Sequence, residues 1–157
     1  MTAKDGNVYF TGLQSVPVDS NAEQAYRSAE LNAKAGIAKA IEQKLQVVFQ
    51  NAEEGYAVDA NQARFMGIEA TDMIRTSSIR PFKRYWEKIR TTNNDGQRIT
   101  KLVVFVVVSM PEIDFKKAIL DAARRREGKG GISADFAKKV DQQWDNIISD
   151  RQPSSDQ

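Results

Sequence analysis

The fold of this protein is decided by the stretch Leu102–Val108, which reads LVVFVVV and is apolar at every position. Side chains alternate between the two faces of a β-strand, so a strand with one face in water alternates apolar and polar residues. This stretch does not alternate, and we therefore expect a central strand with both faces covered. Burial at about 1.5–3 kcal/mol for each side chain contributes roughly 10–20 kcal/mol before opposing terms. The second cover is either another part of the chain, which we favour, or a second subunit.

The residues before this stretch predict one strand and a long helix. Residues 8–16 are rich in β-branched and aromatic side chains and predict a strand. Ser20 and Glu23 have the spacing of a capping box, which opens a helix that runs to about Asn51. The apolar stripe of this helix recurs every three or four residues: Ala22, Tyr26, Ala29, Ala33, Ile37, Ile41, Leu45 and Val48. Its small residues predict a close approach to the element on which the helix packs.

A second helix and the first arm of a hairpin follow. Residues 53–55 break the long helix, and Asp59 caps a second one that runs to about Ser77. The side chains expected to face inward are Phe65, Met66, Ala70, Met73 and Ile74. Residues 79–92 are predicted to be extended, since they combine aromatic and β-branched residues after the helix.

The second arm of the hairpin leads into a third helix. Residues 93–96 read NNDG, a sequence that tolerates the positive φ angles of a tight turn. A strand over 97–109 follows, and Ser109 with Glu112 predicts another capping box. The third helix ends at the arginines 124–126, which we expect to be solvated. Its inward positions are Ile113, Ala118 (or Phe115) and Ala122.

The C-terminal part is predicted to be a glycine joint followed by a fourth helix. Residues 128–131 read GKGG, and the helix from about Ser133 carries Phe136, Val140, Trp144 and Ile147 on one stripe. This helix can dock on the chain's own sheet or on a neighbouring molecule. The predicted organisation is a single domain over 1–127, the joint and helix over 128–151, and a disordered tail over 152–157.

The order of these elements is β-α-α-β-β-α-α. It predicts an α+β fold with a small, mainly antiparallel, three-stranded sheet packed by long helices.

The composition argues against the commonest catalytic and metal sites. The 157 residues include no Cys and no His, which excludes thiolate nucleophiles, disulfides and the usual zinc ligands. The carboxylates Glu87, Glu112 and Asp114 occur in solvent-facing or capping contexts without an identifiable partner. We therefore expect a protein that is not an enzyme and that needs no cofactor or metal. No stretch is long and apolar enough to span a membrane, and no signal peptide is expected in the sequence.

Positive charge is concentrated around the first arm of the hairpin. Residues 75–101 hold 8 basic and 2 acidic groups, giving +6, whereas the whole chain has a net charge of +2. Basic residues interleaved with aromatic ones are typical of surfaces that bind single-stranded nucleic acid, and basic strands also attract anionic lipids or polymers. Lysine and arginine on an edge strand equally prevent pairing with other chains, which is the reading we favour. The candidate interaction residues are Arg84, Trp86, Lys88, Arg90, Phe136 and Trp144.

Three segments together resemble a known family. They are the alanine-rich helix over 25–41, the basic strand Arg84-Tyr85-Trp86-Glu87, and the stretch 104–118, which includes VFVVVSMP. They resemble the bacterial cell-envelope lipoproteins named for a twenty-kilodalton surface antigen, whose relatives include an accessory protein of the flagellar basal disk. The resemblance covers roughly residues 8–123 and includes no catalytic motif.

This resemblance implies a periplasmic or outer-membrane domain that assembles or scaffolds. Such lipoproteins are lipidated on an N-terminal Cys, and this chain has none. Either the anchor was removed with the signal peptide or this member is not lipidated, so membrane contact would need an anchor absent from this chain. We expect a homo-oligomer or an envelope protein partner, with nucleic acid as a less favoured ligand. The alternative function is a binding module for an anionic polymer or nucleic acid through the basic strand 80–90.

Overall fold

The computed structural model describes residues 1–50, 58–74 and 78–149. Its elements are β1 (Thr2–Lys4), β2 (Asn7–Pro17), α1 (Ala22–Gln50), α2 (Ala60–Ile74), β3 (Arg80–Thr92), β4 (Arg98–Pro111), α3 (Glu112–Arg126), α4 (Phe136–Gln142) and α5 (Trp144–Ile148). The protein has an α+β fold with a four-stranded antiparallel sheet, in the order β1-β2-β4-β3. The predicted break at 53–55 and the predicted tail at 152–157 lie outside the described residues.

The sheet has one strand more than the three that were predicted. The additional strand is β1, which turns into β2 through Asp5 and Gly6, both at positive φ. Its pairing with β2 covers three residues, Thr2 opposite Tyr9 through Lys4 opposite Asn7. A strand of three residues has no detectable periodicity in the sequence, which explains why it was missed.

The apolar strand β4 is central, as predicted, and the predicted hairpin is confirmed. β4 pairs with β2 on one side and with β3 on the other. The turn is closed by a hydrogen bond from Asn93 N to Gln97 O of 2.9 Å, and Gly96 adopts φ 78°. The Asn93 side-chain oxygen also accepts hydrogen bonds from the backbone N–H groups of Asp95 and Gln97.

One face of the sheet, here called the inner face, is covered by helices. Its residues on β2 and β4 are buried: Val8, Phe10, Gly12, Leu102, Val104, Val106, Val108 and Met110. α1 lies so close to β2 that a Cβ added to Gly12 would stand 1.9 Å from Ala29 O and 2.3 Å from Ala33 N. The predicted close approach of the alanine-rich helix is therefore confirmed, and the glycine on the strand is part of it.

The helix details differ from the predictions in three places. The buried stripe of α1 is Ala25, Ala29, Ala33, Ile37, Ile41, Leu45 and Phe49, with Ala22 exposed. α2 starts at the predicted cap, since Asp59 Oδ1 accepts a hydrogen bond from Gln62 N at 2.8 Å, but Phe65 is 48% exposed. On α3 the buried residues include Phe115 and Ala118, whereas Ile113 is 76% exposed.

Two of the predicted capping boxes are wrong. At α1, Asn21 takes the role expected of Ser20, because its side-chain oxygen accepts the hydrogen bond from Gln24 N at 3.2 Å. At α3, Pro111 precedes the helix and no side chain caps it. Ser109 cannot reach this helix end because it is still within β4, opposite Tyr9 of β2.

Candidate interaction surface

The second face of the sheet, here called the open face, carries apolar side chains that the helices do not cover. Its centre is Phe105 of β4, which lies opposite Leu13 of β2 and Tyr85 of β3. Val103 and Val107 flank Phe105 on the same face and are half-buried. Leu13 is 54% exposed. The open face is therefore an apolar surface that is accessible to a partner.

Aromatic contacts order the open face on the β3 side. The Tyr85 and Phe105 rings are stacked, with centroids 4.5 Å apart and planes within 3°. Tyr9 and Phe82 meet edge to face at 5.0 Å, across the sheet at the end of β4. Phe82 is the extra residue of a bulge between Pro81 and Lys83 and is 62% exposed. Packed rings of this kind form a preorganised surface, because little side-chain freedom remains to be lost on binding.

The expectation that the chain itself covers both faces of β4 is not met within the described residues. α1 and α3 both pack on the inner face, as shown by the contact of Gly12 with α1 and of Phe10 with Phe115 at 5.8 Å. The C-terminal helices α4 and α5 also lie on this side, against α3 and α1. The open face therefore has no helical cover within the described part of the chain.

The basic strand β3 is exposed along its whole length. Arg84, Trp86, Lys88 and Arg90 alternate along it, so their side chains share one face. This is the face towards α1, since Arg84 lies 5.4 Å from the centre of the Tyr26 ring. Trp86 is 56% exposed, and the Lys88 ammonium lies 5.9 Å from the centre of its ring. The structure therefore brings these four predicted residues together on an accessible surface.

The other two predicted residues belong to the core of the chain. Phe136 and Trp144 are 1% and 6% exposed. The Phe136 ring lies 4.9 Å from that of Phe49 on α1, and Trp144 Nε1 donates a hydrogen bond of 2.8 Å to a carboxylate oxygen of Glu112 on α3. The predicted fourth helix is two short helices, α4 and α5, interrupted at Gln143. They dock on the chain's own helices rather than on its sheet.

Two of the three carboxylates considered for catalysis have structural contacts. Glu112 holds Trp144, and Asp114 accepts a hydrogen bond from Ser78 Oγ at 2.6 Å. Glu87 is exposed on β3. The described residues contain no group of three or more Asp or Glu side chains placed to hold a metal ion. None of the helices in the described part of the chain is long and apolar enough to cross a membrane.

Hydrogen bonds lower the pKa of one carboxyl that lies outside the open face and β3. The Ser133 hydroxyl, and to a smaller extent Lys139, holds the pKa of Asp135 below its ordinary value of 3.8.

The prediction that Arg126 is fully solvated is wrong. Its guanidinium pairs with Glu69 of α2 at 2.6 Å and lies 4.9 Å from the Phe65 ring centre.

Sequence reasoning missed Leu13, Phe82, Tyr85 and Phe105 as members of one surface. The signal was present in the strand periodicity, since the odd-numbered residues of β4 form the second apolar face. This periodicity alone does not identify an accessible surface, because a second apolar face is equally expected of a strand that is covered on both sides.

Searches with protein-family models and among curated proteins found no match to this chain.

Proposed function

We propose that this protein is a non-enzymatic domain of the bacterial cell envelope, of the periplasmic or outer-membrane lipoprotein type, that self-associates or scaffolds a larger assembly. The observation that carries the assembly part is the open face, where Phe105, Leu13 and Tyr85 form an uncovered apolar centre. Apolar side chains clustered on one accessible face favour association, because burial removes them from water.

The geometry of such an association follows from the sheet. Two antiparallel sheets pack face to face at a separation of about 10 Å, with their apolar side chains interdigitated. An open face that meets the open face of a second copy forms an isologous contact with Phe105 near its centre. Polar residues such as Thr11 and Ser15 border this centre and would form the rim.

The envelope location is supported by the family resemblance of the alanine-rich helix, the basic strand and the stretch 104–118. The flagellar basal disk is one kind of assembly that this resemblance suggests. The non-enzymatic role is supported by the contacts of the candidate carboxylates: Glu112 and Asp114 are used to hold neighbouring elements.

Sedimentation equilibrium of the protein over a range of concentrations tests the assembly. We expect reversible association of the wild type and a monomer for Leu13→Glu combined with Tyr85→Glu, because two charges would then be buried in the contact. The matched control is Leu31→Glu, which places a charge at a 66% exposed apolar residue of α1, away from the open face. This variant should associate like the wild type.

The proposal is contradicted if the wild type stays monomeric at every concentration and crosslinking of the native protein in cells recovers neither a second copy nor a partner. Association that persists in the double variant would place the contact elsewhere. Fractionation of cells that express the native gene tests the envelope location separately.

A further inference from the structure

The free edge of β3 is the second accessible feature of the sheet. β3 is the last strand of the order β1-β2-β4-β3, so its backbone groups directed away from β4 have no strand partner among the described residues. All 13 of its residues are exposed. Exposed edges of this kind accept an added strand, because each unpaired N–H and C=O can form a ladder hydrogen bond.

The usable part of this edge is long and regular. Pairing between β3 and β4 has one irregularity, between Pro81 and Lys83. From Lys83 to Thr92 the register continues without a further shift. These ten positions span about 33 Å at the usual rise of a strand. Pro81 lacks an N–H group, so an added strand would begin after the bulge.

Charge determines which strand fits this edge. β3 contains five basic residues, Arg80, Lys83, Arg84, Lys88 and Arg90, and one acidic residue, Glu87, giving +4. In the described structure the one ion pair of these cations is Arg84 with Glu23 of α1 at 3.5 Å, and both partners are about half exposed. Pairing of β3 with β3 of a second copy would therefore oppose two strands of charge +4, which disfavours self-pairing.

The two faces of β3 specify the pattern of the partner. The face towards α1 presents Arg84, Lys88 and Arg90 around Trp86 and has no acidic residue from β3. The open face presents Tyr85 and Ile89 together with Lys83 and Glu87, whose opposite charges offset each other. A strand beside β3 would therefore place acidic side chains on the first face and apolar side chains on the second. Alternation of acidic and apolar residues produces this arrangement.

We propose that the free edge of β3 binds an acidic, extended segment of a partner protein, with alternating acidic and apolar residues, by adding it as a fifth strand to the sheet. This goes beyond assembly through the open face, since it uses a different part of the sheet and a different partner. It also replaces the general expectation of an anionic ligand on residues 80–90 with one that uses the backbone of the strand.

Isothermal titration calorimetry with a synthetic peptide tests this inference. The probe is an end-capped peptide of about ten residues that alternates Glu with Val or Tyr. We expect binding that weakens with salt, and a loss of about tenfold in affinity for Lys88→Glu combined with Arg90→Glu. The matched control, Lys117→Glu combined with Lys138→Glu, reverses two exposed charges on α3 and α4 and should leave the affinity unchanged.

Two further ligands separate strand addition from simple charge attraction. A peptide of the same charge with Pro at every third position cannot form the ladder, and we expect it to bind at least about tenfold more weakly. Oligothymidylate of equal charge cannot form the ladder either, and we expect it to bind at least about tenfold more weakly than the alternating peptide. Amide hydrogen exchange should show new protection within β3 when the alternating peptide is bound.

The inference is overturned if the alternating peptide does not bind at low salt, or if the proline peptide or oligothymidylate binds as tightly. The titrations are repeated with the Leu13→Glu protein, in which the charge is introduced on β2 at the centre of the open face. Since β4 separates Leu13 from β3 and every residue of β3 is unchanged, peptide binding should persist. A failure of self-association is therefore distinguishable from a failure of strand addition.

Discussion

The two faces of β4 carry side chains of the same kind but have different surroundings. On the inner face Val104 and Val106 are fully buried beneath α1. On the open face Val103, Phe105 and Val107 are half-buried among their neighbours in the sheet. An apolar strand therefore shows that both faces favour removal from water, but it does not determine that the same chain supplies both covers.

The largest expected effect comes from separating α1 from the inner face. Gly12→Ala places a Cβ within 2.3 Å of backbone atoms of α1, so the helix or the strand must move. We expect the free energy of unfolding in urea to fall by about 3 kcal/mol or more. Gly36→Ala is the control, because its Cβ would meet no atom within 4 Å and Ala favours a helix. It should raise stability by about 0.5–1 kcal/mol, and similar losses for both variants would contradict the packing described.

Truncation on either side of β4 compares the two faces directly. Val104→Ala leaves a cavity in the core and is expected to lower the free energy of unfolding by about 2 kcal/mol. Val103→Ala on the open face should cost less than about 1 kcal/mol in dilute protein, because the side chain is only partly buried. A cost for Val103→Ala that rises with protein concentration would indicate a second subunit on the open face. Equal costs in dilute protein would show that the face is covered within the chain.

The helical layer on the inner side extends to α5, where Trp144 contacts α3. A substitution of Trp144 tests whether this contact stabilises the protein, and the expected loss of stability is smaller than those of Gly12→Ala and Val104→Ala. Trp144→Phe removes the N–H that donates to Glu112, and we expect a loss of about 1 kcal/mol in thermal or urea unfolding. Glu112→Gln retains an oxygen that can accept this hydrogen bond, so its loss should be smaller. If both variants were as stable as the wild type, the α5 contact would contribute nothing to the layer.

The smallest effect concerns a surface group that touches neither face. Ser133→Ala removes the main hydrogen bond that lowers the pKa of Asp135, so this pKa should rise towards its ordinary value, as measured by NMR titration. A carboxyl with a lowered pKa in the folded state stabilises the protein above its unfolded pKa. This contribution is lost as the pH falls through the folded pKa. Ser133→Ala should therefore lower stability slightly at neutral pH, and the difference from the wild type should disappear below the folded pKa. An unchanged Asp135 pKa would contradict the assignment.

Much of the fold could be predicted from local patterns. The turn at Asn93–Gly96, the cap at Asp59 and the central position of β4 follow from residue types whose preferences are strong. The centre of the predicted stripe of α1, from Ala29 to Leu45, is confirmed, and only its ends differ. Ala25 is buried in place of Ala22 because alanine occurs on several sides of the first turns, so the periodicity there does not identify a single face.

The remaining features depend on tertiary contacts that a sequence pattern does not contain. Ser109 has the spacing of a helix cap, but pairing with β2 continues through Pro111 and keeps it in the strand. Phe65 is apolar, yet its ring lies beside the Arg126 guanidinium and stays half-exposed. Of the predicted interaction residues, those on β3 are accessible. Phe136 and Trp144 have the composition of a docking helix but dock on the chain itself.

The environments of the two tryptophans provide separate optical probes of this protein. Trp144 is buried and hydrogen-bonded to Glu112, so its fluorescence should be emitted at shorter wavelengths and should shift when the core unfolds. Trp86 is more than half exposed on β3, and its emission should respond to whatever occupies that strand. In Trp144→Phe protein the signal reports the edge alone, and in Trp86→Phe protein it reports folding alone. Occupancy of the edge and integrity of the core can therefore be followed independently, without an attached dye.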